Sequence, residues 1–133
     1  MAILKHISVK NRFYSSAVEY LTCQFDEYTN KPVLDEKGRI QERENYLIVG
    51  VNCDVDSFRA ECIEVNRLYG KNNSVKDVKA HHYIISFEPN DPITIEQALE
   101  FGKQWLSVFA PGHQAVVAVH PDGHNGSQNL HVH

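Results

Sequence analysis

From residue 115 the chain runs apolar and β-branched, Ala115-Val116-Val117-Ala118-Val119-His120, breaks through a Gly- and Asn-rich stretch at 121–129, and returns as Leu130-His131-Val132-His133. Two such runs joined by turn residues read as a β-hairpin, and a hairpin commits its part of the chain to antiparallel pairing. Side chains alternate across a strand, so His131 and His133 share one face and Val132 takes the other. On the partner strand Val116, Ala118 and His120 lie together. If the register sets His120 on the face of His131 and His133, three imidazoles converge on one point.

The rest of the chain has to cover that hairpin. Residues 2–9 alternate loosely as a first strand, and Ser16 with Glu19 is a capping-box pattern opening a helix with Ala17, Leu21 and Phe25 on one stripe. Residues 26–45 are polar, with Asn30-Lys31-Pro32 and Lys37-Gly38 turn signals, and read as a long loop or loose hairpin. A β-branched strand follows at 46–53. Asp54 or Asp56 then caps a helix with Phe58, Cys62, Val65 and Tyr69 in line, stopped at Gly70. A strand at 81–88 ends before Pro89, and Thr94 with Gln97 caps a third helix with Ile95, Ala98, Leu99, Gly102, Leu106 and Phe109 on its apolar face, stopped by Pro111-Gly112. The order β-α-β-α-β-α-β-β predicts an α+β fold: a central, mainly antiparallel sheet with helices packed on it and the His-Val-His strand in its central hairpin.

Composition narrows the function classes. A chain of 133 residues with 42% hydrophobic content makes one domain with a real core, and no apolar run approaches the ~20 residues that cross a bilayer. The first ten residues lack a secretory signal pattern. The odd set Cys23, Cys53 and Cys62, without a CxxC pair, reads as reduced thiols of a cytoplasmic protein. Thirteen Lys+Arg against seventeen Asp+Glu give a formal charge of −4, which disfavours indiscriminate nucleic-acid binding but leaves room for a local basic groove. There is no phosphate loop, no Gly-x-Ser-x-Gly and no His-Glu-x-x-His.

Eight histidines are the anomaly, and five of them (His113, His120, His124, His131 and His133) fall after residue 112. A single strand histidine is commonly just a half-buried polar side chain. The full spacing His120-x₁₀-His131-x-His133 on a hairpin is more specific, because three neutral imidazoles with open positions opposite can hold a metal that still takes a substrate oxygen. Imidazole ligation suits Zn, Mn, Fe, Co or Ni alike. His124 sits in the turn and reads as solvated. His6, His81, His82 and His113 have no partner by spacing and read as structural. Among the six tyrosines, Tyr20 lies mid-helix off the apolar stripe. A phenol, ionising near ~10 when free, serves as a nucleophile beside a cation or metal. Tyr14, Tyr28 and Tyr69 are alternatives on the same physics.

The segments Val117-Ala118-Val119-His120-Pro121-Asp122 and Leu130-His131-Val132-His133 together resemble the histidine motif of the relaxase, or mobilisation nuclease, family. The N-terminal stretch resembles that family's first motif: a strand, a basic turn (Lys10-Asn11-Arg12) and a helix with an acidic-Tyr-aliphatic triplet (Glu19-Tyr20-Leu21). The run His82-Tyr83-Ile84-Ile85-Ser86-Phe87-Glu88-Pro89 is similar to its middle strand. The resemblance implies a metal-dependent enzyme that nicks one DNA strand at an origin of transfer in plasmid or conjugative-element mobilisation. Carried over by position, Tyr20 is the nucleophile, Asp122 orients a ligand imidazole, and His120, His131 and His133 hold a divalent metal, Mg or Mn foremost. Single-stranded DNA, gripped by residues such as Lys5, Lys10, Arg12 and Tyr14, and accessory relaxosome proteins are the implied partners. Residues 1–133 are then expected to be an N-terminal relaxase domain cut off at its histidine motif.

Three other readings compete. A rolling-circle replication initiator shares the His-hydrophobic-His strand but places its tyrosine after the histidine pair, whereas every tyrosine here precedes it. A cupin-like metal domain should be nearly all-β, against the two capping boxes. A non-enzymatic DNA-binding protein could keep the fold and lose the chemistry.

Overall fold

The computed structural model describes residues 2–9, 14–26, 29, 31–43, 46–71, 74, 76–121 and 129–133, with the side chains of 14–17 outside that description. Five strands, β1 (Ile3–Val9), β2 (Leu47–Val51), β3 (Ala80–Ser86), β4 (Ala115–His120) and β5 (His131–Val132), form one sheet in the order β1-β3-β5-β4-β2. Every pairing is antiparallel. The hairpin of β4 and β5 lies at the middle of the sheet, as its sequence pattern requires. Three helices, α1 (Tyr14–Thr22), α2 (Phe58–Leu68) and α3 (Ile95–Phe109), complete an α+β architecture that excludes the cupin-like reading. Among the described residues no helix is long and apolar enough to cross a membrane.

Register sorts the two faces. Val119 pairs with Val132 and Val132 with Ile85, so these side chains stand on one face. With Val117, Phe87 and Ala98 they make the buried core under α3, flanked by half-buried Val49, Val51, Leu99, Trp105 and Leu106. α3 can lie this close because Gly102 faces β4 and β5. A Cβ there would come within 2.7 Å of Val132 Cγ1 and 2.9 Å of Val117 Cγ1. Its N-terminus carries the expected capping box: the Thr94 side chain accepts from the Gln97 amide at 3.1 Å, and the Gln97 side chain accepts from the Thr94 amide at 2.9 Å. The opposite face carries the histidines, with α1 over it and α2 beside α1.

Several local expectations are corrected. The first helix spans Tyr14–Thr22, so Ser16 lies inside its first turn, and it stops before Phe25. Sheet-like pairing takes over there: the Arg43 amide donates to Thr22 O, the Gln24 amide to Gln41 O, and Phe25 bridges Pro32. The segment after α1 is thus a loose meander. The N-cap of α2 is Ser57 rather than Asp54 or Asp56. Its hydroxyl donates to Glu61 Oε2 at 2.8 Å, and the same oxygen accepts the Asp54 amide at 3.0 Å. Only Phe58 of the expected α2 stripe is buried, while Val65 and Tyr69 are exposed. Phe109 leaves the α3 core stripe, stacking on Trp105 and meeting Tyr83 edge-on. β2 ends at Val51 because Asn52 takes a left-handed backbone (φ 56°) and donates from its side chain to His113 O.

Candidate active site

β4 and β5 place the three histidines. His120 pairs directly with His131, and His133 exchanges both main-chain hydrogen bonds with Ala118, at 2.9 and 2.7 Å. Directly paired residues share a face, so all three imidazoles project from the sheet on the side of α1. His120 and His131 are buried, and the ligand-capable nitrogens of the three lie within 4.8 Å of one another. His120 sits 4.5 Å from His133 and His131 4.8 Å from it, ring centre to ring centre.

Hydrogen bonds to carbonyls settle which nitrogen two of the rings can offer. His120 Nε2 donates to the carbonyl of Leu21 at 2.7 Å, leaving Nδ1 as the lone pair of the neutral ring. His131 Nδ1 donates to Asn129 O at 2.9 Å, leaving Nε2. His133 Nδ1 lies 2.8 Å from His82 Nε2, and His133 Nε2 is buried with no hydrogen-bond partner among the described residues. Burial drives the protonation equilibrium of His133 far down, reinforced by His120, His131, His82 and the Arg43 guanidinium. A neutral ring with a buried lone pair is costly by about 1–3 kcal/mol when unfilled. The donor set suits a divalent cation, which would satisfy that atom.

Tyr20 comes to the same place from α1. Its ring centre lies 5.9 Å from His133 and 6.1 Å from His82, both edge-on, and 5.4 Å from Phe25. The tie between Leu21 O and His120 fixes this neighbourhood, since Leu21 follows Tyr20 directly. Lys5 stands on the histidine-bearing face of β1, and its charge joins burial in lowering the protonation of His82. Asp122, His124, Lys10 and Arg12 lie outside the described residues, as does the side chain of Tyr14. Among the described residues His113 has no tie to the site, and its ring bonds Pro111 O at 3.3 Å. His6 and His81 bond each other at 3.0 Å and stack with Tyr83 on the other face of the sheet.

Two residues of the site escape sequence reasoning. His82 has its partner 51 residues away, on a strand that becomes its neighbour only once the sheet order is known. Alternation along His81-His82-Tyr83 does split the two histidines between faces, but spacing alone cannot say which face meets β5. Arg43 is brought in by the bond of its amide to the end of α1, within a segment that reads as polar loop.

Comparison with known proteins gives a consistent picture. Two curated relatives from Staphylococcus aureus, both named Protein rlx, are each 37% identical over 73 residues, which is 55% of this chain and 22% of the relative. The match therefore spans under a quarter of those relatives' length. No solved structure matches the chain significantly. A family model for the MobA/VirD2-like nuclease domain of relaxases matches residues 28–133, a stretch that contains the three histidines and His82 but not Tyr20. With most of its length matched in this way, the chain belongs to the relaxase family.

Proposed function

We propose that this domain nicks one strand of DNA at an origin of transfer, by transesterification onto Tyr20, in the mobilisation of a plasmid or conjugative element. The observation that carries the reading is the placement of the Tyr20 ring 5.9 Å from His133, beside three imidazoles whose ligand-capable nitrogens converge.

The Tyr20 hydroxyl oxygen attacks the phosphorus of the scissile phosphodiester. An O–P bond to the tyrosine forms as the bond to the 3′ oxygen breaks; the phenol loses its proton and the leaving 3′ oxygen gains one. One phosphodiester replaces another, so no nucleotide hydrolysis is required, in keeping with a sequence that has no phosphate loop. His120, His131 and His133 would hold a divalent cation. When bound, it supplies positive charge to the nonbridging phosphate oxygens and so favours the more highly charged transition state. Mg or Mn is the expected ion. The site's three neutral imidazoles bring no negative charge of their own, which leaves the cation's charge for the substrate.

The remaining roles belong to positioning. Leu21 O and Asn129 O hold the His120 and His131 rings in one tautomer each. Arg43 and Lys5 put positive charge near the site, and Lys10, Arg12 and Tyr14 are the candidate grips on single-stranded DNA. Asp122, two residues after His120, orients a ligand imidazole as the family motif implies. Accessory relaxosome proteins would present the origin in single-stranded form.

The test is to incubate the protein and Mg²⁺ or Mn²⁺ with single-stranded oligonucleotides spanning the element's own transfer origin. A protein–DNA adduct that survives boiling in detergent is expected. Oligonucleotide binding without adduct or cleavage would assign the domain to DNA binding without catalysis, and absence of both would overturn the reading.

A further inference from the structure

We infer that His82 is a positioning residue for the metal centre: as a hydrogen-bond acceptor, it holds the proton of His133 on Nδ1 and thereby turns the Nε2 lone pair of His133 toward the other two histidines. The inference rests on the proposed metal site and adds a fourth histidine to it, from a different strand.

The argument starts with the sheet. β3 lies beside β5, with Ser86 opposite His131 and Ile85 opposite Val132. Counting back by twos from Ser86 puts Ile84 and His82 on the face of the metal-binding imidazoles. There, His82 Nε2 comes to 2.8 Å from His133 Nδ1, and the ring centres are 5.1 Å apart.

Two neutral imidazoles in this contact share a single proton between the facing nitrogens, so there are two arrangements. In one, His82 Nε2–H donates to His133 Nδ1, which leaves the His133 proton on Nε2 and closes that atom to a cation. In the other, His133 Nδ1–H donates to His82 Nε2, and His133 Nε2 keeps its lone pair. Only the second suits the surroundings of Nε2. That atom is buried and has no protein partner among the described residues, in a ring whose neighbours are the other two imidazoles. Metal-bound histidines usually donate their second N–H to an outer partner, and removal of that partner typically costs about 10–100-fold in metal affinity. Carbonyls serve His120 and His131 in this way; His133 has His82.

The acceptor assignment separates this role from mere packing against Tyr20. A glutamine or glutamate at position 82 offers an oxygen acceptor near the place of Nε2, whereas phenylalanine fills the volume and offers none. Mn²⁺ affinity, read by electron paramagnetic resonance of the free ion, should fall about 10–100-fold in His82→Phe. It should return most of the way in His82→Gln and be at least as strong in His82→Glu, whose carboxylate is the better acceptor. Circular dichroism melts accompany each variant. On the unsubstituted protein, long-range ¹H–¹⁵N correlation spectra should show the His133 proton on Nδ1, a readout that needs no variant to fold. Equal Mn²⁺ affinity in wild type and His82→Phe, or a His133 proton found on Nε2, overturns this inference and leaves the metal site standing. A wild-type protein that binds no Mn²⁺, or one whose Mn²⁺ affinity is unchanged by His131→Ala, overturns both.

Discussion

His120 Nε2 donates to the main-chain oxygen of Leu21 at 2.7 Å, joining residues 99 apart in sequence. The bond ties the helix carrying Tyr20 to the strand carrying the first of the three converging histidines. It also gives a fully buried ring its partner and satisfies a carbonyl in the last turn of α1, where intrahelical donors run out.

His120→Ala should therefore do more than remove one of the proposed ligands. It leaves a cavity and strips a buried carbonyl of its donor, a combined loss of about 2–4 kcal/mol. Urea denaturation would measure it, and hydrogen exchange should show faster exchange of the α1 amides. A loss below ~1 kcal/mol with unchanged exchange would mean that α1 is held by other contacts.

Gly102→Ala tests how the core sets the histidine strand. Alanine is the better helix former by about 1 kcal/mol. Its Cβ, however, would press within 2.7 Å of Val132 Cγ1 and 2.9 Å of Val117 Cγ1, both buried and hemmed in by the core. Overpacking of that kind costs about 1–3 kcal/mol, so net destabilisation is expected. Val132→Ala in the same chain makes room and should recover part of the loss relative to the sum of the single changes. A double-mutant cycle measures the coupling, and strict additivity would show that α3 yields instead. Because Val132 sits between His131 and His133, metal affinity should weaken with Gly102→Ala as well.

The parts of this fold legible in the sequence are those whose signals are local. Alternation along β4 and β5 shows which side chains share a face, and the Thr94–Gln97 box shows where α3 begins. His120, His131 and His133 could be grouped because a hairpin converts sequence distance into pairing. What was not legible depends on partners chosen by the whole sheet. His82 meets β5 only because β3 lies next to it, and the end of α1 is set by Gln41 and Arg43 through the competing bonds they make with Gln24 and Thr22. Ser57 displaced the two aspartates as the cap of α2 for a similar reason: Glu61, one turn on, supplies the acceptor that organises the turn.

Cys62 supplies a pH-dependent prediction away from the site. Burial, helped by the nearby Cys53 and Glu61, pushes its thiol up to about 11. Burial also raises Cys53, although main-chain hydrogen bonding at Ala115 and Val51 opposes this. The thiolate is the reactive form, so a raised pKa keeps Cys62 protonated and inert at pH 8. Its alkylation by iodoacetamide, followed by mass spectrometry of the peptide, should be slow at pH 8 and climb steadily towards pH 11 while the fold persists. Rapid labelling at pH 8 would show that Cys62 is far more solvated than its half-buried position implies.

Tyr20→Phe is the sharpest test of the chemistry. The substitution removes one hydroxyl and keeps the ring that packs edge-on against His82 and His133, so the fold, the three ligand nitrogens and oligonucleotide affinity should be nearly unchanged. What disappears is the only atom of that side chain able to bond phosphorus. The covalent adduct with transfer-origin DNA should fall below detection, while Mn²⁺ affinity stays within about twofold, since the tyrosine is not among the metal's ligands. Tyr14 is the control. It opens α1 six residues earlier, two residues after Arg12 in sequence, and is proposed only to grip DNA. Tyr14→Phe should weaken binding at most and leave the adduct in place. Peptide mapping of the wild-type adduct closes the argument: a nucleotide-bearing mass on the peptide containing Tyr20 supports the assignment, and the same mass on a peptide containing only Tyr14 transfers the nucleophile's role to that residue.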